Sequence, residues 1–133
     1  YKRQMLSSMT PTIVEDLNGD LFLVLGSPGG STIITTVAQI TSNIIDYDMS
    51  IKDAVESHRF HHQWLPDFID IEPYGFSLET INELLNRGHK IRYRQSIGEA
   101  NCIMVDNIYN ENGHSAILYG ASDSRRDASA KGY

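Results

Sequence analysis

Thr12-Ile13-Val14-Glu15-Asp16-Leu17-Asn18-Gly19-Asp20-Leu21-Phe22-Leu23-Val24-Leu25-Gly26-Ser27-Pro28-Gly29-Gly30-Ser31 is the stretch that decides the fold. Its opening Thr-Ile-Val is β-branched, and Leu21–Leu25 is a short apolar run of the kind that forms a buried strand. Between them Asn18-Gly19 offers two residues that tolerate positive φ, which predicts a β-hairpin over Thr12–Leu25 closed by a type I′ turn. The second strand then meets Gly26-Ser27-Pro28-Gly29-Gly30, where neither strand nor helix continues. From Ser31 to Asp46 the apolar residues Ile33, Ile34, Val37, Ile40, Ile44 and Ile45 recur at helical spacing and mark one buried stripe. Strand, glycine-rich loop and helix therefore follow one another directly.

Working outward, Ser50-Ile51-Lys52-Asp53 resembles a capping box and predicts a short second helix. A third runs from Ser77 to Arg87, with Leu78, Ile81, Leu84 and Leu85 on one face and Gly88 as its stop. Strands are expected at Lys90–Arg94, Cys102–Asp106 and Ala116–Tyr119, the last two joined through a polar connection holding Asn112-Gly113. The polar tail from Ala121 reads as surface coil. The fold class is α+β, and the 133 residues are enough for one domain with a core.

Composition narrows the function. With 41% hydrophobic and 21% charged residues, the chain is globular rather than disordered. Its formal charge is −6, and no basic run is longer than the two residues of Arg125-Arg126, so no nucleic-acid partner is indicated. No apolar stretch approaches the ~20 residues of a membrane span. The single Cys102 leaves no internal disulfide and reads as a small buried hydrophobe. A start at Tyr1 rather than Met reads as a fragment of a longer polypeptide.

Four clusters could carry chemistry. The Gly26–Gly30 loop places backbone N–H groups in a concave turn at the positive end of a helix, suited to a phosphate, a carboxylate or a transient oxyanion; the same residues also serve a plain strand-to-helix turn. It is no P-loop, since the lysine is absent. Ser7-Ser8 offer two hydroxyls to a carboxylate, or a simple turn or cap. His58, His61 and His62 invite a metal reading, and on a helix 58 and 62 would stand at i, i+4, a zinc spacing, but Arg59 occupies the place of the expected Glu, and Phe60, Trp64, Leu65 and Pro66 point to an extended packing segment. Asp123, Arg125, Arg126 and Asp127 read as a solvated ionic turn of about 0–1 kcal/mol per pair.

Taken in order, Leu6-Ser7-Ser8-Met9-Thr10-Pro11-Thr12-Ile13-Val14, Gly26-Ser27-Pro28-Gly29-Gly30-Ser31, Ile33-Ile34-Thr35-Thr36-Val37, Arg59-Phe60-His61-His62-Gln63-Trp64-Leu65-Pro66-Asp67, Tyr119-Gly120-Ala121-Ser122-Asp123 and Gly132-Tyr133 resemble the γ-glutamyltransferase family across essentially the whole chain. The resemblance implies the C-terminal portion, residues 1–133, of a small subunit, within the αββα sandwich of an N-terminal nucleophile hydrolase. It implies a precursor that cleaves itself, and a threonine at the new terminus that attacks the γ-glutamyl amide of glutathione and related compounds; no cofactor is needed. Ser7 and Ser8 match the residues that hold the glutamyl α-carboxylate, and Gly29 and Gly30 match the backbone amides of the oxyanion hole. The threonine is expected some tens of residues before Ser7, so these 133 residues alone should be inactive. The large subunit and the upstream part of the small subunit are the expected partners, and a periplasmic or extracellular location is implied. Ser124 stands where many members have proline. The alternative is a non-catalytic carboxylate-binding or scaffold module of the same descent.

Overall fold

The computed structural model describes residues 9–110, 113–125 and 129–131. Strands β1 (Thr12–Glu15) and β2 (Leu21–Gly26) form the expected hairpin, in antiparallel register with Ile13 opposite Val24. Its turn differs from expectation. Only Gly19 takes positive φ (86°), because the Asp16 carboxylate captures the amides of Asn18 (2.8 Å) and Asp20 (3.0 Å). The Asp16 amide also donates to the Asp20 carbonyl, so the hairpin closes on a three-residue loop instead of a type I′ turn.

After the loop, one 3₁₀ turn (Gly30–Thr32) leads into α1 (Ile33–Ile45). Ile33, Thr36, Val37, Ile40 and Ile44 are its buried face. Ile34 and Ile45, expected on that stripe, are exposed, since the 100° advance per residue carries each off the face that meets the sheet. Helix α2 (Ile51–Glu56) starts where Ser50 Oγ accepts the Asp53 amide at 3.1 Å.

The chain then forms β3 (Phe60–His61), β4 (Ile69–Ile71), α3 (Leu78–Asn86) and β5 (Ile91–Tyr93). These make a small three-stranded sheet, with β3 antiparallel and β5 parallel to β4. Strand β4 was not anticipated; three residues between Asp67 and Pro73 are too few to show a period. Gln39 of α1 anchors this sheet, donating to the Phe60 carbonyl (2.8 Å) and accepting the Phe60 amide (3.1 Å). Helix α3 has Ser77 as its N-cap, but none of its residues is buried within the described structure.

Strands β6 (Asn101–Asn110) and β7 (Gly113–Ser122) are longer than the sequence indicates, and they complete a four-stranded antiparallel sheet in the order β1-β2-β6-β7. Leu25, Cys102 and Ala121 stand side by side across β2, β6 and β7. They face α1 and α2 and form the core with Leu23, Val37, Ile40, Ile44, Ile51, Ala54, Val55 and Ala100. Ala121, expected in surface coil, is therefore sheet core. Cys102 is buried as expected, and burial pushes its thiol up to about 11. A maleimide at pH 8 should leave Cys102 unlabelled in the folded protein and label it fully in denaturant; rapid labelling of the native protein would contradict this burial.

The opposite face of the same sheet is also apolar. Ile13, Ile103 and Leu118 are 69%, 44% and 65% exposed there, and a groove of about 820 Å³ runs past Met9, Pro11, Val24, Ile103 and Gly120. A sheet apolar on both faces with one helical layer is half of a sandwich.

Candidate functional site

The site begins where β2 ends. Gly26 packs so closely under the chain at Met9 that an added Cβ would lie 3.3 Å from the Met9 carbonyl, which accepts the Ser27 amide at 3.0 Å. Gly29 (φ 144°) and Gly30 (φ 62°) turn the backbone into the 3₁₀ turn. Their carbonyl and hydroxyl neighbours are bonded: Ser27 Oγ donates to the Pro28 carbonyl (2.7 Å), and Thr32 donates to the Gly29 carbonyl through Oγ1 (3.0 Å) and its amide (3.3 Å). The amides of Gly29 and Gly30 donate to none of the described residues. Two adjacent N–H groups are thus left for a ligand at the N-terminal end of a helix, where the backbone dipoles favour negative charge.

The loop rests on the segment before β6. Glu99 donates its amide to Ser27 Oγ at 2.9 Å, and Gly98 (φ 71°) lies against Thr36 and Gly29. A Cβ on Gly98 would meet Thr36 Oγ1 at 2.3 Å and Cγ2 at 2.8 Å. Gly98→Ala is expected to cost about 3 kcal/mol from overpacking and positive φ together, read as a lower urea midpoint; an unchanged midpoint would show that the contact is loose.

That segment is in turn fixed by buried charge. Arg59, Glu72 and Asp123 are 1%, 3% and 0% exposed, and Arg125 joins them at 11%. Arg59 donates to Asp123 Oδ2 (2.7 Å), to the Ile97 carbonyl (2.9 Å) and to the Val55 carbonyl (2.6 Å). Asp123 accepts the Ala100 amide (3.0 Å) and Arg125 Nη1 (3.0 Å); Glu72 accepts the amides of Arg59 (2.9 Å) and Ile97 (2.8 Å) and both Nε and Nη2 of Arg125 (2.7 and 2.6 Å). The solvated ionic turn expected at Asp123 and Arg125 is instead a buried network; Arg126 and Asp127 lie outside the described residues. Burial raises the Glu72 and Asp123 carboxyls, but the arginines and amides outweigh it and hold both below the usual carboxylate values. Arg59 is lowered by its burial and supported by Asp123. Ser124 donates its amide to Glu56 Oε1 (3.2 Å), a bond that a proline at this position could not make.

The zinc arrangement at His58 and His62 is not formed. Residues 58–62 are extended, so i, i+4 places no two side chains on one helical face; His61 is held instead by Thr35 Oγ1 (2.9 Å) and Gln63 Oε1 (3.0 Å). Among the described residues there is no group of three His, Cys, Asp or Glu placed to hold a metal. Ser7 and Ser8 lie outside the described residues. Their successor Met9 is the residue hydrogen-bonded to the loop at Ser27.

A helix-backed antiparallel sheet with a second apolar face, and a glycine loop at a strand end, make up half of a layered sandwich in an α+β fold. The family model of gamma-glutamyltranspeptidase matches residues 1–133, and the chain belongs to that family. It is 46% identical over 123 residues to the glutathione hydrolase proenzyme of Escherichia coli, covering 92% of this chain and 20% of that protein. Among solved structures, the gamma-glutamyltranspeptidase T380A mutant of Helicobacter pylori superposes with a TM-score of 0.84 at 45% identity, over 94% of this chain and 64% of that one. The Pseudomonas nitroreducens gamma-glutamyltranspeptidase complexed with L-DON gives 0.82 at 33% identity, over 99% and 65%. The chain thus spans about a fifth of the E. coli protein and just under two thirds of these solved chains.

Proposed function

We propose that the chain is the C-terminal part of the small subunit of a γ-glutamyltransferase, cleaving the γ-glutamyl amide of glutathione and related compounds and passing the glutamyl group to water or an amino acid. In this reading an upstream threonine supplies the hydroxyl that adds to the γ-carbonyl. The carbonyl oxygen becomes an anion, the amides of Gly29 and Gly30 donate to it, and collapse of the tetrahedral centre expels the amine. Water or an acceptor amine then attacks the resulting ester and frees the threonine. Ser7 and Ser8 hold the α-carboxylate. The observation that supports this best is the pair of adjacent glycine amides that donate to none of the described residues, at the start of the 3₁₀ turn leading into α1, in a loop whose Ser27 is bonded to the residue that follows the serines. An oxyanion donor acts most strongly when it is fixed before the charge develops, and each is worth about 2.7–4 kcal/mol of barrier.

The proposal extends to the partners. The uncovered apolar face of the β1-β2-β6-β7 sheet is the surface on which a second sheet, from the large subunit and the upstream part of the small one, would close the αββα sandwich. Self-cleavage of the precursor and a periplasmic or extracellular location belong to the same reading and rest on family likeness alone. The experiment is direct: the protein extended upstream through its threonine should hydrolyse γ-glutamyl-p-nitroanilide, and the 133 residues alone should not. Turnover by the isolated chain, or none by the extended protein, would overturn it.

A further inference from the structure

The Gly29–Gly30 turn poses a mechanical problem. Glycine reaches both signs of φ with little penalty, so a Gly-Gly peptide can rotate about its own axis and exchange its N–H for its C=O. An oxyanion site built on such a peptide would then present a carbonyl dipole to the developing negative charge. The arrangement of the two neighbouring hydroxyls bears on this directly.

The N–H of Gly29 and the carbonyl of Pro28 belong to one planar peptide unit, as do the N–H of Gly30 and the carbonyl of Gly29. Each carbonyl is held by a hydroxyl from a buried side chain. Ser27, 0% exposed, donates Oγ–H to the Pro28 carbonyl at 2.7 Å. Its oxygen meanwhile accepts the Glu99 amide at 2.9 Å, which leaves its single hydrogen for that carbonyl. Thr32, 1% exposed, donates Oγ1–H to the Gly29 carbonyl at 3.0 Å. Thr32 Oγ1 also occupies the space beside Gly29: a Cβ there would sit 2.6 Å from it.

We infer that Ser27 and Thr32 are positioning residues that clamp, from behind, the two peptide planes whose amides form the oxyanion hole. Fixing the C=O end of a planar unit fixes the direction of its N–H end. A hydrogen bond to the carbonyl also polarises the amide and strengthens its donation. The loop's glycines are needed for its dihedrals, and the hydroxyls remove the freedom those glycines bring. Ser27 and Thr32 touch no substrate in this scheme; they act through the backbone. The inference rests on the oxyanion-hole reading of Gly29 and Gly30.

The test uses the extended, processed enzyme with Thr32→Val, Thr32→Ser and Ser27→Ala. Valine keeps the size of threonine and removes the hydroxyl; serine keeps the hydroxyl. Thr32→Val and Ser27→Ala should each lower kcat for γ-glutamyl-p-nitroanilide by about 10–100-fold, less than outright loss of a donor, with KM nearly unchanged, and Thr32→Ser should restore kcat. A boronic acid analogue of the γ-glutamyl group, whose tetrahedral adduct places an oxygen at the oxyanion position, should lose affinity in parallel with kcat, while glutamate binding holds. Wild-type kcat in Thr32→Val, or an equal loss in Thr32→Ser, would overturn the clamp. If Thr32→Val does not accumulate as folded protein, Ser27→Ala carries the same test on the other peptide, and retained kcat and boronate affinity there overturn it. No turnover by the wild-type enzyme would sink the parent reading instead.

Discussion

Asp123→Ala should lower the unfolding free energy by about 3–5 kcal/mol, the largest loss expected from any single substitution in this chain. Asp123 is fully buried and is the acceptor for Arg59, Arg125 and the Ala100 amide. Removing it leaves the guanidinium of Arg59, itself 1% exposed, without its ion-pair partner. A buried charge without a counter-ion costs far more than the ion pair contributes while intact, because its desolvation is no longer offset. Arg125 keeps Glu72, so the damage centres on Arg59 and on the Ile97–Ala100 segment that Arg59 and Asp123 hold together. Against a typical total of 5–15 kcal/mol, such a loss removes much of the stability. Urea unfolding of the extended protein provides the measurement; a midpoint equal to wild type would mean that water reaches Arg59. Acid acts on the same network. Glu72 and Asp123 titrate below their ordinary values in the folded state, so the stability they contribute is complete above about pH 4.5 and is lost as pH falls through the depressed folded values.

The second large effect is catalytic. Gly29→Ala in the extended enzyme should lower kcat by about 10²–10³-fold, the range found when one oxyanion donor is lost. The new Cβ would stand 2.6 Å from Thr32 Oγ1 and 3.4 Å from the Gly98 Cα, at a φ of 144° that side-chain-bearing residues rarely adopt. Relief requires the peptide planes on either side to rotate, which turns the amides off their target. Gly30 offers the contrast: a Cβ there meets nothing within 4 Å, and φ is 62°, so Gly30→Ala carries only the left-handed cost of about 1–2 kcal/mol. The expected order is a severe kcat loss for Gly29→Ala and a mild one for Gly30→Ala, with KM for γ-glutamyl-p-nitroanilide little changed. Equal, near-wild-type kcat values in both would show that these amides do not serve the reaction.

Local signals were readable wherever one residue type imposes a backbone choice or a period repeats. The hairpin, the glycine loop, α1 and the Ser50 cap follow from Gly dihedrals, the 3.6-residue stripe and a short side chain that accepts a backbone amide. The three-residue strand β4 left no such trace. Residues of β6 and β7 beyond Asp106 and before Ala116 are strand only because each supplies the other's hydrogen bonds, a fact of pairing that neither segment carries alone.

The sequence by itself determined an α+β chain of this family and a loop with amides to spare, because strand pattern, glycine geometry and helix start are local properties. Tertiary structure alone decided that Arg59, Glu72, Asp123 and Arg125 are buried together and that two hydroxyls stand behind the glycine peptides. Charged side chains read as surface until folding brings their counter-ions from 53 and 64 residues away, and only that meeting offsets the loss of water.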